Sequence, residues 1–166
     1  MNKLIIVCGS PASGKTTYGK KIATEKKAAF LDIDTVSEDL VKIALTESGR
    51  DKYDRDSDYF KKTFRLTVYE TLFKIAEDNI LWTDVVIAGP FTKEIRNIHW
   101  LDDLQKRFNS EVVVHFVYCS PEIRLNRIKN RGELRDLKKL DDWDNFNQYY
   151  GKEEAPVFSH IFVNNS

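Results

Sequence analysis

The chain has 166 residues, of which 42% are hydrophobic and 31% are charged, and its 26 Lys and Arg residues balance 26 Asp and Glu residues. This composition excludes a disordered chain and predicts one soluble globular domain spanning residues 1–166. The neutral balance also excludes a global positive field that would attract nucleic acid or an anionic membrane, so any polyanion site must be local.

Short β-branched runs alternate with amphipathic stretches of helical length along the chain. Because parallel strands need a helical crossover between them, this alternation predicts an α/β three-layer sandwich with a parallel sheet. The predicted strands are residues 4–8, 29–32, 85–88, 112–118 and 160–163. The predicted helices are residues 15–26, 37–48, 58–81, 93–108 and 121–131.

No apolar stretch reaches 18 residues, and the short apolar run at the start lacks the length and the cleavage site of a secretory signal. The two cysteines, Cys8 and Cys119, each end an apolar run and are expected to be buried and reduced. We therefore expect a cytoplasmic protein that does not bind a membrane.

The first predicted strand leads into the loop GSPASGKTT and then into a helix, which matches the pattern G-x-x-x-x-G-K-[ST]. Glycines let the backbone turn sharply and bring its N–H groups close to phosphates, and the helix start adds its positive dipole end. The alternative is a Gly/Ser turn that enters a helix and binds nothing. The pattern predicts a nucleotide site formed by Gly9, Ser10, Pro11, Ala12, Ser13, Gly14, Lys15, Thr16 and Thr17.

Two side chains of this loop have specific expected roles. Lys15 places a full positive charge on the β- and γ-phosphates and is expected to be catalytic. The hydroxyl of Thr16 is expected to be a ligand of a Mg²⁺ ion that bridges those phosphates.

These residues resemble the small P-loop kinases, a group that includes adenylate, shikimate and gluconate kinases, zeta-toxin-like proteins, chloramphenicol phosphotransferase and the 5′-kinase domain of polynucleotide kinase. The resemblance covers nearly the whole chain. It implies the nucleotide kinase-like P-loop fold, with a five-stranded parallel sheet of order 2-3-1-4-5. It also implies transfer of the γ-phosphate of a nucleoside triphosphate to an acceptor hydroxyl.

In this family an acidic residue at the end of the second strand faces the acceptor, and AFLDIDT supplies Asp32 and Asp34 at that place. Residues two apart on an extended segment point the same way, so both carboxylates are expected to face one cleft. We expect Asp34 to bind the acceptor hydroxyl and receive its proton. The resemblance to shikimate kinases assigns Asp32 to the metal, through water. The alternative is that Asp32 only caps a helix and that Asp34 is solvated.

The segment SPEIRLNRIKNRGELRD carries a second family feature. Arg127 and Arg131 are four residues apart and so share one helix face. By resemblance to adenylate kinases, Arg127 is expected against the adenine ring and Arg131 at the transferring phosphates as a catalytic residue. Arg135 is expected beside them, in a lid of about residues 127–140. The alternative is a solvated basic face with neighbouring glutamates as partners.

One departure from the family lies after the third strand, where many relatives carry an Asp and this chain has Gly89 and Pro90. Metal positioning must then rely on Thr16, Asp32 and water. The missing acid also weakens the case for a motor or AAA-type ATPase, which needs it to orient water. Gly89 is expected to allow close approach of the acceptor. Arg96 is expected to contact the acceptor from the next helix, with a plain surface charge as the alternative.

The sequence lacks an Asn-Lys-x-Asp or Thr-Lys-x-Asp guanine motif, so ATP with Mg²⁺ is the expected donor. The expected acceptor is a small molecule or a nucleotide. A 5′-hydroxyl polynucleotide kinase is one alternative, although the neutral net charge argues against it. A non-catalytic ATP-binding regulator or weak ATPase is another, and the oligomeric state is open.

Two segments near the end of the chain complete the sequence predictions. The terminal IFVNNS resembles the adenine-facing loop of the family, with Asn164 as a candidate contact. The aromatic-rich stretch WDNFNQYY predicts a helix that packs back on the domain.

Overall fold

A computed structural model describes residues 1–145 and 154–166, apart from the side chains of residues 135, 138 and 139. The aromatic-rich helix predicted near residues 143–150 therefore lies largely outside the described residues. The strands are β1 Leu4–Cys8, β2 Ala29–Asp32, β3 Val85–Ala88, β4 Val112–Tyr118 and β5 Ile161–Asn164. The helices are α1 Lys15–Lys26, α2 Ile33–Glu47, α3 Asp58–Thr63, α4 Arg65–Ile80, α5 Trp100–Phe108, α6 Pro121–Arg131 and α7 Leu137–Asp141.

The five strands form one parallel sheet in the order β2-β3-β1-β4-β5. This confirms the predicted fold class and strand order. β1 is central and fully buried, which explains why its sequence is a continuous apolar run rather than an alternating one.

Successive residues of β1 pack against different layers, because side chains alternate across a sheet. Leu4 and Ile6 belong to a core with the apolar faces of α4 and α5. Ile5 and Val7 belong to a second core on the other face, where Ala23 of α1 packs. Both faces of the sheet are therefore covered by helices, as the three-layer prediction requires.

Four strands and two helices, α1 and α6, have the predicted bounds, and β5 is shifted by one residue. The prediction for α2 was wrong, because Asp32 caps this helix and starts it at Ile33 rather than at residue 37. The predicted helix 58–81 is broken at Phe64, which ends α3 and precedes α4. The ring of Phe64 stacks on Phe60, with centroids 6.0 Å apart, within a small separate core.

The helix predicted for residues 93–108 is also divided. Residues Glu94–Arg96 form a single 3₁₀ turn, Asn97 is extended, and α5 begins only at Trp100. A second 3₁₀ turn, Leu134–Asp136, follows α6 and leads into α7. These two turns flank the site described next.

Candidate active site

The loop between β1 and α1 has the backbone conformation that the glycine pattern predicts. Gly9 and Gly14 have φ angles of 142° and 94°, and Ala12 adopts a left-handed φ of 61°. A Cβ on Gly9 would lie 2.3 Å from the carbonyl oxygen of Val117 in β4. Glycine at position 9 is thus required both by conformation and by the neighbouring strand.

Lys15, the first residue of α1, extends back along this loop. Its Nζ donates a hydrogen bond to the carbonyl oxygen of Ser10 at 2.6 Å. The ammonium group is therefore held at the start of the helix, where the backbone N–H groups of the first turn are unpaired within the helix. A positive charge beside free N–H donors is the arrangement that binds phosphate.

Asp32 lies at the end of β2 and contacts two elements at once. Its Oδ1 accepts hydrogen bonds from the backbone N–H groups of Asp34 at 2.9 Å and Thr35 at 3.2 Å. Its Oδ2 accepts a hydrogen bond from the hydroxyl of Thr16 at 2.7 Å. Asp32 therefore caps α2, and the same carboxylate also reaches the P-loop, so it does more than cap a helix.

The pair of Thr16 and Asp32 fits a Mg²⁺ ion. Mg²⁺ prefers oxygen ligands, and it is usually bound by one or two protein oxygens together with phosphates and water. One hydroxyl and one carboxylate at the phosphate loop meet this requirement. Among the residues that the structure describes, no group of three or more His, Cys, Asp or Glu residues could hold a metal alone.

Asp34 is in the first turn of α2, so the extended geometry expected for it was wrong. The carboxylate nevertheless lines the same cavity as Asp32, because α2 starts directly at the end of β2. Its Oδ1 accepts a hydrogen bond from Nη1 of Arg55 at 3.1 Å. Nη2 of Arg55 donates to the hydroxyl of Ser37, one helical turn further along α2, so the guanidinium is fixed against this helix.

One cavity of about 400 Å³ joins these groups. It is lined by residues 11–12 and 14–17 of the loop and by five predicted residues outside the loop. Gly9, Ser10 and Ser13 are buried behind this surface. The predicted convergence of the strand ends is present, because the lining also includes Asp32, Asp34, Gly89, Arg127 and Arg131.

The far side of the cavity is formed by residues that the sequence analysis missed. They lie between β2 and β3 and after β3, and they include Tyr53, Arg55, Lys61, Arg65, Tyr69 and Thr92. The RDSD segment before α3 was assigned no role in the sequence analysis. The sequence feature that marks this segment is Ser57, whose hydroxyl accepts a hydrogen bond from the N–H of Phe60 and so caps α3. This cap places Arg55 beside the cavity.

Arg65, the first residue of α4, is held by an ion pair with Glu94 of the 3₁₀ turn after β3. Its Nη2 lies 2.7 Å from Oε2 of Glu94, and the two side chains are only 14% and 22% exposed. The guanidinium also lies over the ring of Tyr69, 5.2 Å from its centroid. Burial, together with the nearby Glu94 carboxylate, raises the pKa of Tyr69 to about 12, so its hydroxyl stays protonated at neutral pH.

The arginines of α6 lie on the loop side of the cavity. Arg127 donates hydrogen bonds to carbonyl oxygens of the phosphate loop and of Asn165. Arg131 forms a two-point ion pair with the buried carboxylate of Asp136. The side chain of Arg135 lies outside the described residues.

Gly89 and Arg96 were the other residues expected near the acceptor. Gly89 lines the cavity, and a Cβ at this position would lie 2.9 Å from the ring of Phe91, so the ring packs against this glycine. Arg96 does not line the cavity within the part of the chain that the structure describes. Its Nε lies 3.3 Å from Oε2 of Glu154, and both side chains are more than half exposed, which favours the surface-charge alternative.

The terminal residue nearest the loop is Asn165 rather than Asn164. The side-chain nitrogen of Asn165 donates to the carbonyl of Ser13 at 2.7 Å, whereas the side chain of Asn164 accepts from the N–H of Ser166. Both cysteines are buried, as expected. Of the helices that the structure describes, none has the length and apolar character needed to cross a membrane.

Comparison with known proteins adds independent information. A family model described as an AAA domain matches residues 4–152. Shikimate kinase of Thermoanaerobacter pseudethanolicus is 35% identical over 156 residues, covering 94% of this chain and 81% of that protein. A sugar kinase structure from Janibacter sp. covers 99% of this chain and 86% of its own, with a TM-score of 0.64 and 16% identity. A gluconokinase structure from Sinorhizobium meliloti covers 98% and 81%, with a TM-score of 0.54 and 15% identity.

The two solved structures support the fold, and the family model and the shikimate kinase relative identify the family. Although the family model is described as an AAA domain, the three proteins named above are kinases. The phosphate loop, the strand order and this family match agree with one another. The chain belongs to this family of small P-loop kinases and is a P-loop phosphotransferase that acts on a hydroxyl.

Proposed function

We propose that this protein transfers the γ-phosphate of ATP, with Mg²⁺, to a hydroxyl of a small molecule. The observation that supports this most is that one cavity contains both the phosphate loop with Lys15 and the carboxylate of Asp34. The cavity then continues past Asp34 to a second wall containing Arg55 and Tyr69, which leaves room for an acceptor beside the donor.

In the proposed complex, the ATP phosphates lie on the loop N–H groups and the start of α1. Lys15 and Arg131 contact the transferring phosphate and stabilise the charge that spreads over its oxygens. Thr16 and Asp32 would hold Mg²⁺, which would neutralise charge between the β- and γ-phosphates. Asp32 remains fixed because two backbone N–H groups bind its other oxygen.

Asp34 is the proposed base. The acceptor oxygen forms a bond to the γ-phosphorus while the bond between that phosphorus and the β-γ bridging oxygen breaks. The hydroxyl proton passes to the Asp34 carboxylate, and the products are ADP and a phosphate ester. The ion pair with Arg55 holds the carboxylate in a fixed position for this step.

The chemical class of the acceptor is the finer part of the proposal. The shikimate kinase relative and the sugar kinase structure support a polyhydroxylated small molecule. The second wall has charged and aromatic side chains together, including Arg65 and Tyr69, which suits an acceptor with both polar groups and an apolar ring face. A cytoplasmic location is part of the proposal, and two buried cysteines that form no disulfide with each other support it.

The test is a transfer assay with γ-labelled ATP and Mg²⁺ against sugars, ring hydroxy acids, nucleosides, hydroxylated antibiotics and a 5′-hydroxyl oligonucleotide. We expect a labelled product with one small-molecule class. Labelling of the oligonucleotide alone would instead support the polynucleotide kinase alternative. ATP binding with no acceptor labelled, and with only free phosphate released, would contradict the kinase proposal.

Two variants test whether the labelled phosphate is transferred at this site. Lys15→Ala is expected to weaken ATP binding and abolish transfer, whereas Lys20→Ala, on the exposed face of the same helix, serves as its control. Asp34→Asn is expected to keep ATP affinity and lower kcat by at least ~100-fold, the usual contribution of a positioned base. Asp39→Asn is the matched control on α2, because the Asp39 side chain is 94% exposed.

A further inference from the structure

Two side chains outside the phosphate loop bind its carbonyl groups. Nη1 of Arg127 donates to the carbonyl oxygens of Ala12 at 3.3 Å and Ser13 at 3.2 Å. Nδ2 of Asn165 donates to the same Ser13 carbonyl at 2.7 Å. Two consecutive loop carbonyls are therefore bound by side chains from α6 and from the segment after β5.

These contacts matter because of the way in which a loop binds phosphate. Backbone N–H groups can face a phosphate only while the carbonyl groups between them point elsewhere and find their own donors. In this loop Arg127 donates hydrogen bonds to the carbonyls of Ala12 and Ser13, and Asn165 also donates to the carbonyl of Ser13. Without them, those carbonyls would lie beside the nucleotide phosphates as unpaired negative dipoles or rotate toward them.

The loop also contains a strained residue at the same place. Ala12 has a left-handed φ of 61°, a conformation that is unfavourable for a residue with a Cβ. Such a conformation persists only when its surroundings fix it. The hydrogen bond from Arg127 to the Ala12 carbonyl supplies a restraint directly at this residue.

Both side chains are themselves anchored. Nη2 of Arg127 donates to the backbone carbonyl of Asn165 at 2.9 Å, and the backbone N–H of Asn165 donates to the carbonyl of Tyr118 at the end of β4. Nη1 of Arg127 also lies 3.3 Å from Sγ of Cys119. The guanidinium thus connects the loop to the rigid edge formed by β4 and β5.

Gly14 provides the room for this arrangement. A Cβ at position 14 would lie 2.2 Å from Nδ2 of Asn165, so any other residue would displace the amide. The second glycine of the phosphate motif therefore admits the Asn165 side chain as well as turning the backbone.

We infer that Arg127 and Asn165 are positioning residues that hold the phosphate-loop carbonyls away from the nucleotide and so keep the loop N–H groups available. This inference rests on the proposed use of ATP. It replaces the expected contact between Arg127 and the adenine ring, since the guanidinium is occupied by the loop. Its specific consequence is that both residues act on the phosphate chain and are indifferent to the base.

The experiment measures binding of three probes by calorimetry: Mg-ATP, inorganic tripolyphosphate with Mg²⁺, and adenosine. Arg127→Met, which keeps the aliphatic length, is expected to weaken the binding of ATP and of tripolyphosphate by the same factor, at least ~10-fold. Asn165→Ala is expected to weaken both by about 3- to 10-fold, the range of one neutral hydrogen bond. Adenosine binding should be unchanged in both variants.

Asn126→Ala, at an exposed position of α6 beside Arg127, is the control and should bind all three probes like the parent protein. Weakened ATP and adenosine with unchanged tripolyphosphate would show adenine stacking and overturn the inference. Unchanged tripolyphosphate binding by Asn165→Ala, which removes one hydrogen bond and little volume, would overturn it even if Arg127→Met failed to fold. A parent protein that binds neither ATP nor tripolyphosphate would instead refute the proposed function.

Discussion

The guanidinium of Arg131 is bound at two points by the carboxylate of Asp136, with Nη2 2.7 Å from Oδ1. The side chain of Asp136 is 1% exposed, whereas that of Arg131 is 32% exposed and lines the cavity. A buried anion therefore holds a partly exposed cation at the edge of the site. This pairing fixes the orientation of the one lid arginine proposed to meet the transferring phosphate.

We predict that Arg131→Lys lowers kcat by at least ~10-fold and changes the Kd for ATP much less. A lysine keeps the charge but cannot bind Asp136 and phosphate oxygens in the planar two-point geometry of arginine. Steady-state kinetics and ATP titration check this prediction. Arg50→Lys, a surface change outside the cavity, is the control, and an equal loss in kcat and affinity would contradict the assigned role.

The ion pair between Arg65 and Glu94 allows a prediction that separates stability from acceptor binding. Glu94→Gln should lower the free energy of unfolding by about 2–3 kcal/mol, because it leaves a largely buried guanidinium without its counter-charge. The double variant Arg65→Met/Glu94→Leu should regain most of that loss. Urea denaturation measures both values.

If Arg65 also contacts the acceptor, the double variant should keep a raised KM for the acceptor despite its recovered stability. A KM for ATP that stays at the parent value provides the internal control. Recovery of both stability and acceptor KM would show that the pair is only structural.

Gly9 is predicted to tolerate no side chain. Gly9→Ala should lower the free energy of unfolding by at least ~2 kcal/mol and abolish ATP binding, because a backbone oxygen of β4 cannot move aside. Gly49→Ala is the matched control, since Gly49 also has a positive φ of 73° but open space around it. It should cost only about 1 kcal/mol and leave ATP binding intact. Equal effects of the two variants would contradict the prediction.

We predict that His115 lowers the free energy of unfolding as the pH becomes acidic. It is buried in β4, with Nδ1 2.8 Å from the Tyr18 hydroxyl, and burial with the positive charge of Lys26 lowers its pKa below 6.5. The unfolded chain therefore binds a proton first, and stability that is present above about pH 6.5 is lost as the pH falls through the lowered pKa.

Urea midpoints at pH 7.5 and 5.0 measure this effect. His115→Asn should be less stable at pH 7.5 but should show a smaller loss between the two pH values, by about 1.4 kcal/mol for each unit by which the pKa is lowered. His99→Asn, at an exposed position, is the control. A parallel loss in the His115 variant and the parent would assign the acid sensitivity to other groups.

The sheet and the phosphate loop were predictable from sequence because their signals are local. The central strands β1 and β3 are fully buried apolar runs, and the loop pattern fixes its own backbone through glycines. The start of α2 was missed because Asp32 was assigned to the metal and an extended geometry was assumed. The available signal for a helix cap was that Asp32 stands two residues before Asp34, because acidic residues are favoured in the first turn of a helix.

The second wall of the cavity was not predictable in the same way. Arg65 meets Glu94 across 29 positions of sequence, and Arg55 meets Asp34 across 21. Neither sequence separation carries a periodicity. Only tertiary packing brings the groups together, with Arg65 of α4 meeting the turn after β3 and Arg55 meeting α2. The break at Phe64 depends likewise on ring contacts with Phe60 and Tyr59 rather than on a breaker residue.

Asp32 has a consequence for how mutations at this position would be tolerated. One of its oxygens starts α2 and the other binds Thr16, so its two oxygens serve folding and chemistry separately. Asparagine could preserve the helix start through its amide oxygen, but its NH₂ group would face the threonine hydroxyl at the proposed Mg²⁺ site. In a saturation library scored once for abundance and once for turnover, asparagine would be the substitution that separates the two scores, while most others would fail both.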